Sequence, residues 1–253
     1  MRGMLLAEWT KFRSVRSTPI LAAAIVVMSG VFGWMFGNVG ATRYLEGTVQ
    51  EQLDFVPLHA GTRGILLVQL LVAGLGVLVA TSEYNFGTMR ASVAAAGRRE
   101  RLPVVKSVLV VLVVLPVGLV SALTVFLTSQ TTLAMAGAPR AWFGDPMVIR
   151  FLLLTPVVLA LLALFGLALG FLLRGTAAAA NVSTAFLLIP ALSEIAPAVH
   201  GFVVIYWPNA AGFQAMAMVE ASKLGIWAGL GLLLAFVAAM LTATLVRFRT
   251  RDV

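Results

Sequence analysis

A chain of 253 residues that is 60% hydrophobic and only 11% charged does not resemble a soluble domain, in which about 25% of residues carry charge. The formal net charge is +8, from 15 Arg and three Lys against ten acids, with no Cys and only two His, His59 and His200. Disulfides, iron–sulfur clusters and thiolate metal sites are thereby excluded, and two His are too few for most metal sites.

The apolar residues fall in long runs of Leu, Val and Ala. A hydrocarbon core about 30 Å thick needs roughly 20 of them per helix. These runs lack the polar–apolar alternation of the roughly ten-residue strands of a membrane β-barrel. The expected fold is an all-α polytopic membrane protein, one domain over 1–253 with six transmembrane helices. No Asp, Glu, Lys or Arg falls in the middle of any span, where each would cost about 2.5–3.5 kcal/mol.

In chain order, residues 1–18 read as a short interfacial helix. Met1, Leu5, Trp9 and Phe12 are spaced for one apolar stripe, which Glu8 interrupts. Arg2, Lys11, Arg13 and Arg16 are expected to reach lipid phosphates. A secretory signal is the alternative, but the apolar run is longer than the usual 7–15 residues. The first span is expected over 19–40 and the second over 64–82. The segment 82–106 then holds seven charged residues: Glu83, Arg90, Arg98, Arg99, Glu100, Arg101 and Lys106. Within it Thr88 suits an N-cap and Gly97 a helix stop, enclosing a short helix on which Met89 and Val93 share a face. Pro103 fits the first turn of the third span.

The third span, 106–133, carries Ser121, Thr124, Thr128 and Thr131 on one face. Two readings stay open: hydroxyls bonded back to carbonyls one turn earlier, or a polar strip lining a translocation path. The fourth and fifth spans, 150–173 and 176–193, are joined so closely that they must form a helical hairpin. Gly175 is expected to take the left-handed position and Thr176 to cap the next helix. The segment 194–223 holds a 25-residue stretch without formal charge, 195–219, broken by Pro197 and Pro208. It reads as a re-entrant or interfacial pair of short helices on the outer side. The sixth span is expected over 224–246. GxxxG occurs at Gly33–Gly37, Gly166–Gly170 and Gly225–Gly229, where backbones can pack closely.

Six spans put both ends of the chain on one side. That side receives 13 of the basic residues and the other receives five, so both termini are expected in the cytoplasm. The positive-inside rule accounts for the basic charge, and no nucleic-acid partner is implied. There is no phosphate-loop motif, no HExxH and no GxSxG, and no charged pair in the spans of the kind that relays protons. No enzymatic activity and no cofactor bound by this chain are therefore expected.

The order Glu83, Gly87-Thr88, short apolar helix, basic stretch and Lys106 resembles type-2 ABC transporter permeases. The N-terminal stretch "AEWTKFRSVRST" (7–18), the six spans and the basic tail are similar to bacterial members of that family. The pattern departs at Gly97, where many members carry Pro. The resemblance implies a cytoplasmic coupling helix seated in a separate ATPase, with ATP and Mg held by that partner. It also implies two ATP-binding subunits, a second permease copy (a homodimer) in a bacterial plasma membrane, and export of an amphipathic or lipophilic substrate. The implied ATPase-coupling residues are Glu83, Gly87, Thr88, Met89, Arg90 and Val93, with Glu83 fixing the loop through Arg90 or nearby amides. Arg98, Arg99 and Arg101 are expected at lipid phosphate or acidic ATPase residues. A secondary carrier, or a non-transporting structural or sensory subunit, is the alternative.

Overall fold

A computed structural model describes residues 2–14, 17–85, 87–89, 92, 94, 97–216 and 224–250. Every regular element among them is helical: α1 Arg2–Ser14, α2 Ser17–Glu46, α3 Val49–Leu53, α4 Pro57–Thr62, α5 Ile65–Asn85, α6 Arg101–Met135, α7 Pro146–Leu173, α8 Thr176–Leu192, a 3-10 turn Ser193–Ile195, α9 Pro197–Tyr206, α10 Pro208–Ala215 and α11 Ile226–Thr250. Six of these, α2, α5, α6, α7, α8 and α11, are long and apolar enough to cross a bilayer. The protein is an all-α polytopic membrane protein. The helices outrun the apolar stretches; α6, with 35 residues, is about 50 Å long at 1.5 Å per residue.

α7 is the axis of the bundle. Its apolar stretch is the most buried of the six, followed by that of α5, whereas α2, α8 and α11 present most of their surface outward. Small residues allow this centre to close: a Cβ at Gly166 would overlap the Ala73 carbonyl, and one at Gly76 the Ala163 carbonyl. The two backbones therefore meet directly, as dispersion-driven helix packing in lipid favours. The Gly33–Gly37 pair does the same for α2 against Val125, Ser129 and Thr132 of α6. At Gly225–Gly229 only Gly229 is crowded, by Ala211.

The stretch before α11 is indeed two short helices, each opening on a proline. Of the two, α10 is buried in protein, which is where the bilayer tolerates irregular backbone, whereas α9 is largely exposed, with Val203 its one buried residue. Asn209 donates to Gln69 Oε1 and to the Leu187 carbonyl, both at 3.0 Å, and the Trp207 indole donates to the Phe186 carbonyl at 3.0 Å. All three acceptors belong to membrane-spanning helices, α5 and α8, so α9–α10 is threaded between span ends. Arg150 closes the other end of α10 by donating to the carbonyls of Gln214 and Ala215, at 2.8 and 2.7 Å. A guanidinium there satisfies orphan carbonyls and suits the negative pole of the helix.

The α7–α8 turn differs from expectation. Arg174, not Gly175, takes the left-handed backbone, with φ +57°, while Gly175 is extended. Thr176 opens α8, and its hydroxyl donates to Thr81 Oγ1 at 2.7 Å. A tie to α5, rather than the local cap, sets this turn.

Candidate functional site at the basic end of the bundle

α1, the segment after α5, the start of α6 and the end of α11 gather at one end of the bundle. Gly87 ends α5. At φ +67° its N–H donates to the Tyr84 carbonyl at 3.3 Å, and the Thr88 N–H donates to the Glu83 carbonyl at 3.0 Å. This is a Schellman closure, which favours glycine at the left-handed position. The Thr88 carbonyl then accepts from the Ser92 N–H at 3.0 Å, as an N-cap carbonyl does. Gly97 is again left-handed, with φ +69°.

A four-charge cluster holds these pieces together. Glu8 and Lys11, on one face of α1, are joined at 2.7 Å. Lys11 Nζ also meets Glu83 Oε1 at 2.7 Å and donates to Ser92 Oγ at 3.1 Å. Ser92 in turn donates to Glu83 Oε1 at 3.0 Å. Lys106 lies 3.0 Å from Glu8 Oε2 and 3.5 Å from Glu83 Oε1, and donates to the Val79 carbonyl at 3.0 Å. Glu8, Glu83 and Lys106 are each less than 5% exposed. Two carboxylates and two ammoniums cancel, which is how buried charge is tolerated.

α1 is joined to the bundle a second time through the Thr18 hydroxyl, which donates to the Phe12 carbonyl at 2.8 Å. Beneath the cluster is a cavity of about 410 Å³, walled by Phe12, Leu78 and Leu109 as well as by the charged residues. Glu83 Oε2 is buried and has no hydrogen-bond partner.

Burial would raise the Glu8 carboxyl, but Lys106 and Lys11 outweigh it and hold the group below its usual 4.5. Burial likewise opposes the charge on Lys11, yet Glu8 and Glu83 raise it above its usual 10.5. The anchoring of α1 is therefore expected to be at full strength between these two ordinary values. It should weaken as pH falls through the lowered Glu8 value, where the carboxyl takes up a proton, and as pH rises through the raised Lys11 value. Trp9 fluorescence followed across pH in detergent checks this; a response that Glu8→Gln leaves unchanged in acid would disprove it.

The structure treats the sequence-predicted residues unequally. Glu83 is fixed by Lys11, Lys106 and Ser92. Met89 is 4% exposed and belongs to the hydrophobic core, so it anchors the segment and is not available as a surface contact. Gly87 and Thr88 are exposed. Arg90, Val93, Arg16 and the side chain of Arg2 lie outside the described residues. Arg13, Arg98, Arg99 and Arg101 are exposed at this end, where Arg249 of α11 also pairs with Glu100. Lys11 was expected at lipid phosphate. Its three ammonium hydrogens instead have three partners in Glu8, Glu83 and Ser92.

Part of the hydroxyl face of α6 is a helix seam, while Thr131 is exposed. Thr124, Thr128 and Thr131 donate to the carbonyls of Val120, Thr124 and Leu127, at 2.8, 2.8 and 2.6 Å. Thr124 and Thr128 pack on Gly30 and Gly33 of α2. Ser121 is fully buried, and its hydroxyl has no hydrogen-bond partner. None of the four lines the cavity under the charged cluster or the wider one, about 590 Å³, beside Arg43, His59 and Arg63 at the far end.

Glu8 was legible in the sequence only as a flaw in an apolar stripe. The signal that could have found it was that flaw: a lone carboxylate on an otherwise apolar face needs a cation, and Lys106 opens a span at the same level. Among the described residues no three His, Cys, Asp or Glu group as metal ligands would. No protein-family model matches the chain, and no curated protein matches it either.

Proposed function

We propose that this chain is the membrane-spanning permease subunit of an ATP-driven exporter of the ABC class, with its ATPase supplied in trans. The observation that carries the reading is the buried Glu8–Lys11–Glu83–Lys106 cluster. It locks the segment after α5 to the N-terminal helix and to the roots of two spans. A loop whose only role was to obey a charge rule would stay solvated, and a buried four-charge clamp would add nothing to it. A segment that must pass a push from a cytoplasmic partner into the membrane needs such rigidity, because a compliant loop would absorb the displacement.

In this reading the basic end is cytoplasmic and the membrane is a bacterial plasma membrane. Two permease copies and two ATP-binding subunits form the transporter, and ATP and Mg belong to the latter. The spans, apolar at mid-depth, suit an amphipathic or lipophilic substrate. Because Met89 is buried, the contacts to the ATPase fall to the exposed Thr88, Arg98 and Arg101, with Arg90 and Val93 kept as the contacts that the resemblance implies.

The test is ATP hydrolysis by the ATP-binding subunit co-expressed from the neighbouring reading frame, reconstituted with this chain in vesicles. Glu83→Gln and Thr88→Ala are expected to uncouple the pair, bringing hydrolysis down toward the rate of the isolated subunit while membrane insertion is unchanged. Hydrolysis at the wild-type rate in both variants would remove the coupling role. Substrate flux that needs no ATPase and collapses with the ion gradient would point to a secondary carrier instead.

A further inference from the structure

A second polar group at the basic end lies outside the four-charge cluster. Tyr84, in the last turn of α5, Arg174 in the α7–α8 turn and Arg247 near the end of α11 come from three different spans. The Thr176–Thr81 hydrogen bond draws the α7–α8 turn onto α5, one turn before Tyr84. An edge-on contact between Phe171 and Phe248, with centroids 5.2 Å apart, draws the end of α11 to the end of α7. These two contacts bring the segments of Arg174 and Arg247 toward the end of α5, where the neighbouring Glu83 is already held by its two lysines.

The donors here are unused. The Tyr84 hydroxyl, Arg174 Nε and Arg247 Nε are all buried and have no hydrogen-bond partner, and no ion pair among the described residues uses either guanidinium. Buried donors left unmade are expensive, about 1–3 kcal/mol each and more for charged groups. Arg174 is also held in a left-handed backbone that L-residues disfavour, although glycine follows it. The Thr176–Thr81 tie to α5 holds Arg174 in that conformation.

We propose that Tyr84, Arg174 and Arg247 form a binding site for a phosphate-type oxyanion at the basic end of the bundle. Two cations without an ion pair and a phenol, on span ends drawn together by neighbouring contacts, suit a tetrahedral oxyanion, which arginine recognises through paired hydrogen bonds. The three residues sit at the ends of membrane spans, where a phosphodiester headgroup and a dissolved phosphate are both in reach. The site stands independently of the transporter reading. Because Tyr84 adjoins Glu83, an occupied site would also stiffen the root of the charged cluster.

The experiment uses the full chain in nanodiscs of phosphatidylcholine with and without phosphatidylglycerol, with retained lipid counted by native mass spectrometry. In a parallel arm, inorganic phosphate is added to the detergent-solubilised protein and its melting compared with chloride at equal ionic strength. Wild type is expected to retain phosphatidylglycerol about tenfold better than Arg174→Gln/Arg247→Gln, the effect of losing one charge-assisted hydrogen bond or more. Tyr84→Phe should cause a smaller loss. The double Lys variant, which keeps the charge but not the guanidinium fork, should fall between wild type and the double Gln variant, and it serves if the latter does not fold. Stabilisation of wild type by inorganic phosphate alone, absent in the variants, would support the site with a soluble anion as its ligand. Lipid retention by the double Lys variant equal to wild type would overturn the proposal, because surface charge would then suffice. So would unchanged retention and melting in a folded double Gln variant.

Discussion

Lys106→Met is expected to be among the most destabilising single substitutions in the chain. Methionine approximates the aliphatic length of lysine, so packing is largely kept, but Glu8 and Glu83 lose one of the two cations they share. Removing one partner of a buried ion pair leaves the other as an uncompensated buried charge, at about 3–5 kcal/mol. Here two carboxylates are affected, one of them, Glu83, already carrying an unpartnered oxygen. Lys11 cannot take over, since its ammonium is engaged with Glu8, Glu83 and Ser92. Thermal unfolding in detergent checks the loss, and a double-mutant cycle assigns it. Glu8→Gln in the Lys106→Met background should recover part of the stability, because residues in one ion-pair network are coupled by about 0.5–3 kcal/mol. Simple additivity of the two changes would mean that the pair does not act as a unit.

The second large effect is expected at the centre of the bundle. Gly166→Leu places a side chain where the Ala73 backbone of α5 already lies, and backbone has no rotamer through which to yield. α5 and α7 must separate along their contact, opening the buried interface of Val72, Ala73, Ala163 and Leu167. Overpacking typically costs 1–3 kcal/mol, occasionally more, and the upper end applies where the clash is with main chain. Gly231→Leu, in α11 with open space beside it, is the matched control and should insert and melt almost as wild type. Equal melting of the two variants would show that the close approach of α5 and α7 contributes little.

The spans were legible because bilayer insertion depends on summed apolarity over about 20 residues, which linear order displays. The broken helices before α11 were legible for a related reason: Pro197 and Pro208 interrupt a stretch of spanning length in which the charge pattern forbids a seventh crossing. What could not be read is which neighbour each face meets. Spacing places Thr124 and Thr128 on one face of α6, but only tertiary packing brings that face onto Gly30 and Gly33 of α2. Local rules assigned the left-handed residue of the α7–α8 turn to Gly175, and the Thr176–Thr81 bond moved it to Arg174. Glu83 stood out in the sequence, yet Glu8 and Lys11 did not, since their partners in the 83–106 region are far along the chain. The resemblance implies a contact role for Met89, but its side chain is buried, and burial of one residue on a short helix is set by tertiary packing that spacing does not display.

The central claim, that the segment after α5 engages a separate ATPase, is tested most directly by co-purification. On the proposed reading, an ATP-binding subunit from a neighbouring reading frame copurifies with the wild-type chain from solubilised membranes. It should be lost when residues 88–97 are replaced by a flexible Gly–Ser linker, in a variant that still inserts and remains monodisperse. Undiminished recovery of the ATPase with that linker variant would contradict the claim.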